Sequence, residues 1–221
     1  MKNVITNEVI FTVINTKNTY SSYKDFSLIR TSKTIGVPSI KENKIEIPGM
    51  NGLLDMSEFF GELKYDNRPL SINFVCMEAF DDFDTIFSNV QNCLHGQRVK
   101  VQLDKDWYYT GRCNINPWKV DKVLGTVVID VDAEPYKLKC EPTSVSSYVD
   151  EESTITCQNE RMTVVPTITA DADFVLKFGD ISVPVSAGES IAPDIKFVQG
   201  ENIVTCIGTG NITFTYQEGS L

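Results

Sequence analysis

The chain has 221 residues, 42% hydrophobic and 23% charged, which suits one large β domain or two small ones and is too ordinary a mix for a disordered protein. Thirty Asp and Glu against twenty Lys and Arg leave a formal charge of −10, which argues against binding nucleic acid or an anionic membrane. Met1-Lys2-Asn3 opens no signal-peptide core, and no segment approaches the roughly 18 apolar residues of a membrane span, so a soluble product of a cytoplasm is expected.

Taken in chain order, the first apolar run, Val9 to Ile14, is broken by Thr12. Gly61 to Tyr65 and Leu70 to Cys76 flank the turn-rich Asp66-Asn67-Arg68-Pro69 and read as a hairpin or connected strand pair. Between Ala79 and Gly96, Phe80, Phe83, Phe87, Val90 and Leu94 recur at steps of three or four, which predicts one amphipathic helix laid on a sheet. Asp81 and Asp82 suit its positive end, and Gly96 suits its stop. Val99, Val101 and Leu103 then alternate with polar residues, and Asp104-Lys105-Asp106 turns the chain into Trp107-Tyr108-Tyr109. A further strand is expected from Thr126 to Val131, closed by Glu134-Pro135-Tyr136.

From Lys139 the texture changes, because a Ser/Thr/Asp/Glu-rich stretch runs to Ser153 with few large apolar side chains. The expected domains are therefore 1–139 and 140–221, with this stretch read as a linker. Short strands at Val164–Thr169, Phe174–Phe178, Ile181–Val185, Ile195–Val198, Ile203–Ile207 and Ile212–Tyr216, separated by Gly-, Asp- and Asn-rich turns, predict a small β-sandwich. The fold class is mainly β with one α-helix.

Residues that could carry chemistry are sparse. His95, the single histidine, falls at the helix end, where a cation meets the carbonyl end favourably, so a capping or surface role is expected in place of a catalytic base. Asp81-Asp82 with Asp84, Asp130 with Asp132, and Asp150-Glu151-Glu152 read as solvated charge, and Asp104-Lys105-Asp106 lacks the Gly and Glu of a calcium loop. Six cysteines, Cys76, Cys93, Cys113, Cys140, Cys157 and Cys206, show no CxxC spacing and are expected to be reduced and mostly buried. No catalytic residue, metal or cofactor is expected, and the chain does not read as an enzyme. Trp107-Tyr108-Tyr109, with Trp118, fits a binding platform as well as the core of a hairpin; three consecutive strand residues cannot all face one side.

The segment Lys44-Ile45-Glu46-Ile47-Pro48-Gly49-Met50-Asn51-Gly52-Leu53-Leu54-Asp55 resembles the Pro-Gly-x-x-Gly segment of the distal tail proteins (Dit) of siphophages, the long non-contractile-tailed phages. The hairpin, the helix, Trp107-Tyr108-Tyr109-Thr110-Gly111-Arg112, the strand ending at Pro135-Tyr136-Lys137 and the closing Gly200 to Leu221 follow in the same order. That resemblance implies a β-barrel or sandwich-like first domain that builds a hexameric ring, and a small galectin-like second domain. It further implies a virion protein that joins the tail tube to tail-tip or baseplate proteins, meets a receptor-binding protein in some members, and lets DNA pass without specific binding. Pro48, Gly49, Gly52, Trp107, Tyr108 and Tyr109 become the expected interface residues. A rival expectation is a carbohydrate-binding sandwich that recognises host-surface glycans through aromatics, for which the second domain offers only Phe174, Phe178, Phe197, Phe214 and Tyr216, mostly alternating as core residues would.

Overall fold

A computed structural model describes residues 7–59, 61–76, 82–121 and 124–221. The chain divides into two compact units, Met1–Pro135 and Tyr136–Leu221. Met1 to Asn3 and the expected helix start, Ala79, Phe80 and Asp81, lie outside the described residues.

In the first unit the strands are β1 (Ile10–Val13), β2 (Thr19–Ser21), β3 (Leu28–Ile35), β4 (Lys44–Ile45), β5 (Leu54–Asp55), β6 (Arg68–Cys76), β7 (Arg98–Gln102), β8 (Trp107–Ile115), β9 (Lys119–Asp121) and β10 (Leu124–Ala133), with helix α1 (Phe83–Leu94) between β6 and β7. An antiparallel sheet runs β2-β1-β7-β8-β10-β6-β3, and β9 pairs with the start of β10. The sheet curls on itself. Phe11 of β1 and Phe74 of β6 lie 6.3 Å apart across the core although β7, β8 and β10 separate their strands, and Lys33 of β3 reaches Asp104 in the β7–β8 turn at 3.3 Å. Val9, Leu28, Ile72, Val99, Val101, Ile129 and Val131 fill the concave side.

The helix seals that core with the predicted face: Phe83, Val90 and Leu94 are buried, and the Phe87 ring centroid lies 5.0 Å from that of Trp118, the two planes tilted by 31°. Asp82 is its N-cap and makes no side-chain capping bond. Gly96, at φ 72°, takes the left-handed conformation that ends it, and its N–H turns to Cys113 O at 2.9 Å. The expected pairing of Gly61–Tyr65 with Leu70–Cys76 does not form. Both edges of β6 are occupied, by β3 and β10, and Tyr65 instead bridges Ile40.

In the second unit the strands are β11 (Lys137–Lys139), β12 (Thr143–Val149), β13 (Glu152–Asn159), β14 (Thr167–Ala170), β15 (Phe174–Phe178), β16 (Ile181–Val185), β17 (Gly188–Ile191), β18 (Gly200–Ile207), β19 (Gly210–Tyr216) and β20 (Gly219–Ser220). Two sheets, β12-β19-β14-β17 and β13-β18-β15-β16, enclose one apolar core that includes Val149, Ile168, Leu176, Phe197, Val204, Ile212 and Phe214. The stretch expected as a linker is thus β12 and the start of β13, one strand in each sheet. The expected strand at Ile195–Val198 reduces to a bridge between Phe197 and Val164. Side chains reinforce and extend it: Asn159 Nδ2 also donates to Phe197 O at 3.1 Å, and Val198 N donates to Asn202 Oδ1 at 2.8 Å.

The C-terminal segment closes this unit. Lys137 and Leu138 pair with Ser220 and Gly219, and Arg161 N and Met162 N both donate to Gly219 O. The Glu218 carboxylate, its side chain 6% exposed, accepts from Lys139 Nζ at 2.5 Å, from Glu160 N at 3.1 Å and from the Thr143 hydroxyl. Burial alone would push this carboxyl up, but the three donors together hold it below the ordinary range.

Candidate functional site

The expected interface residues fall on two separate elements. Pro48, Gly49 and Gly52 form the tip of an arm that leaves the first unit after β3 and returns before β6. At its root Lys41 N donates to Lys64 O and Asp66 N to Ser39 O, both at 2.8 Å. Farther out, Lys44 pairs with Asp55 and Ile45 with Leu54, and at the tip Gly49 (φ 86°) and Gly52 (φ 82°) take the left-handed backbone that an ordinary residue resists. Asp55 accepts the Ser57 hydroxyl at 2.6 Å and Ser57 N at 2.9 Å; those bonds hold its carboxyl below the ordinary range.

Every residue from 39 to 55 is exposed, apolar ones included. Ile40, Ile45, Ile47, Met50, Leu53, Leu54 and Phe59 face solvent, Leu53 at 56% and Phe59 at 67%. Two strands of two residues have no core of their own, and an isolated hairpin is marginal in water. So large an exposed apolar surface on one projection exceeds the scattered single residues of an ordinary protein surface. The sequence reading found the turn at the tip and missed the flanking apolar residues. The signal was present: aliphatic side chains between turn residues, in a stretch too broken for a core-facing strand.

Trp107, Tyr108 and Tyr109 open β8 and alternate faces as expected. Tyr109 points into the core, 5% exposed, under the Arg68 guanidinium at 5.7 Å. Burial raises its phenol, with Arg68 opposing. Tyr108 lies on the outer face beneath Lys100 Nζ at 4.7 Å, and Trp107 is half-buried. Tyr109 is therefore core packing, which removes it from any flat aromatic platform.

The remaining polar residues keep to structural duties. His95 is the C-cap, and its Nδ1 accepts Ile115 N–H at 3.2 Å. Asp130 accepts from Asn116 Nδ2 at 2.6 Å, and Asp132 from Asn67 Nδ2 at 2.9 Å. Among the described residues no group of three or more His, Cys, Asp or Glu is placed to hold a metal. In the second unit Phe174, Phe197, Phe214 and Tyr216 are core residues, and the exposed aromatic is Tyr148, at 61%.

None of the six cysteines is in a disulfide; Cys76, Cys113, Cys157 and Cys206 are buried and Cys93 and Cys140 half-exposed. Burial pushes Cys113 up to about 12 and Cys157 and Cys206 up to about 11. An aromatic disulfide reagent at pH 8 is therefore expected to label Cys93 and Cys140 in the native protein and the other four only on unfolding. Fast labelling of Cys113 would contradict this packing.

A curled, helix-sealed antiparallel sheet followed by a small β-sandwich defines a mainly β protein of two units. Among solved structures the chain is similar to the crystal structure of the Dit protein (gp 19.1) of phage SPP1, described as a paradigm of the hub of the adsorption apparatus in phages that infect Gram-positive bacteria. The TM-score is 0.64 over 95% of this chain and 98% of that one, at 15% identity, a likeness that shows the fold. No protein-family model and no curated protein matches the chain.

Proposed function

We propose that this chain is a structural protein of a phage tail, built into the virion as a homo-oligomeric ring, of six copies, between the tail tube and the tail-tip proteins. One observation carries the reading: the fold likeness extends over nearly the whole of both chains, so it takes in both units of this one. The first unit would form the ring and the arm would supply its main contact. A head-to-tail ring needs two different surfaces on each copy, and a projecting apolar arm is one of them.

Charge qualifies how DNA would pass. Residues 1–135 hold fifteen Lys or Arg and eighteen Asp or Glu, a net −3, whereas residues 136–221 hold five and twelve, a net −7. A lumen built by the first unit would thus be close to neutral overall, and its weak repulsion of a polyanion would depend on which side chains face inward.

Native mass measurement and negative-stain imaging test the reading. The wild type is expected to form six-fold rings of the 24.8 kDa chain, and a Leu53→Glu/Phe59→Glu variant to stay monomeric. Both side chains are exposed, so the variant's melting temperature should barely move, within about 0.5 kcal/mol per site. A wild type that stays monomeric both alone and with isolated tail tubes would sink the proposal.

A further inference from the structure

Each sheet in this protein ends in edge strands, and an unpaired edge is a template for another chain unless it is guarded. Most of the edges are guarded. β3 carries Lys33 and a register shift between Arg30 and Ser32; β2 has three residues; β16 contains Pro184; β17 has four residues and opens on Gly188 at φ 114°. On β13, the Gln158 carbonyl is taken by the Tyr216 hydroxyl at 2.5 Å.

β12 differs. It is seven residues long, Thr143-Ser-Val-Ser-Ser-Tyr-Val149, and contains no Pro, no Gly and no charge. One edge is paired with β19 in register from Thr143↔Tyr216 to Val149↔Gly210, and among the described residues no strand pairs with the other. The strand is held firmly for a template: Ser144 and Ser146 hydroxyls meet those of Thr215 and Thr213 at 3.0 and 2.8 Å on the outer face. Tyr148 stands beside them, exposed.

Its surroundings select the partner's charge. No Lys or Arg occurs between Lys139 and Arg161, while Glu141 precedes the strand and Asp150, Glu151 and Glu152 follow it. Two antiparallel copies of β12 would bring Glu141 of one toward those three carboxylates of the other, so self-pairing is opposed.

We propose that the free edge of β12 is a docking site for an extended, Lys- or Arg-rich segment of another protein, added as a fifth strand to the sheet β12-β19-β14-β17. Backbone hydrogen bonds supply the affinity in this mode, side-chain contacts at Tyr148 and the flanking carboxylates the selectivity. The site goes beyond the tail reading and does not require a ring.

The probe is a fluorescent nonapeptide, Lys-Val-Thr-Val-Lys-Val-Thr-Val-Lys, titrated into the full-length protein by anisotropy, with hydrogen-exchange mass spectrometry to locate it. Two control peptides replace Lys by Glu, or carry N-methyl groups on alternate residues. Placing the block in the peptide leaves the protein's fold untouched. Saturable binding with slowed exchange confined to 143–149 is expected, weakened at least tenfold by either change and by Glu151→Lys/Glu152→Lys. Slowed exchange elsewhere, no binding at millimolar peptide, or equal binding of the N-methylated peptide would overturn the proposal, the last showing charge adhesion only. Protection of 143–149 that grows with protein concentration alone would also overturn it, in favour of a second copy. Failure on any of these counts leaves ring formation untouched, and a ring-less protein that binds the peptide leaves the edge site standing.

Discussion

Phe197→Ala is expected to destabilise the second unit by about 3–5 kcal/mol, the range for truncating a fully buried Phe. Phe197 is 0% exposed and is the hub of an aromatic cluster, with ring centroids 6.1 Å from Phe178, 6.1 Å from Phe214 and 5.1 Å from Tyr216, the last edge-on. Its backbone also forms the bridge to Val164, so the cavity opens where irregular chain replaces a strand and little can collapse into it. For a unit of this size the loss corresponds to at least about 12 °C in its melting temperature. Both tryptophans, Trp107 and Trp118, lie in the first unit, so tryptophan fluorescence follows that unit, and hydrogen exchange in 143–216 follows the second. A shift below about 1 kcal/mol in the exchange of β18 and β19 would contradict the packing.

Glu218→Ala should cost about 2–4 kcal/mol, because it strands Lys139, the Thr143 hydroxyl and the Glu160 N–H that converge on one buried carboxylate. The Lys139 side chain is 34% exposed, and water recovers part of its loss, which keeps the figure below that for a fully buried pair. The pH dependence has a definite sign. A carboxyl held below its ordinary value contributes stability above the unfolded-state value, about 4.3, and loses it as pH falls through the folded value. The gap between wild type and Glu218→Gln, measured by chemical denaturation of the second unit, should therefore be full at pH 7 and shrink below about pH 4. A gap that widened in acid would reverse the assignment.

Elements with a clean period were legible in the sequence. Phe83, Phe87, Val90 and Leu94 announce α1, and Val99, Val101 and Leu103 announce β7. The same rule failed at β12 and β13 because the period was there in disguise. Val145, Val149, Ile155 and Cys157 point inward, but the residues between them are polar or charged apart from Tyr148, a composition that reads as a linker. The Ser144 and Ser146 hydroxyls face outward and bond across to β19, which a one-dimensional reading cannot see. At Ile195–Val198 the error ran the other way. The apolar pattern was real and buried, yet Asn159 and Asn202 hold the backbone that a neighbouring strand would have used. For the candidate site, Pro48, Gly49 and Gly52 declare a turn, whereas the exposure of Leu53 and Phe59 depends on tertiary packing that a sequence pattern does not carry.

The arm also bears on how such a chain survives before it meets any partner. An apolar surface held in water is a hazard when five to seven consecutive residues combine strand propensity with low charge. Here no apolar run exceeds the pair Leu53-Leu54, Lys44, Glu46 and Asp55 stand as gatekeepers, and Pro48 with the left-handed Gly49 and Gly52 breaks any longer extended stretch. The surface can thus remain sticky toward a shaped groove while offering fibril growth no usable window.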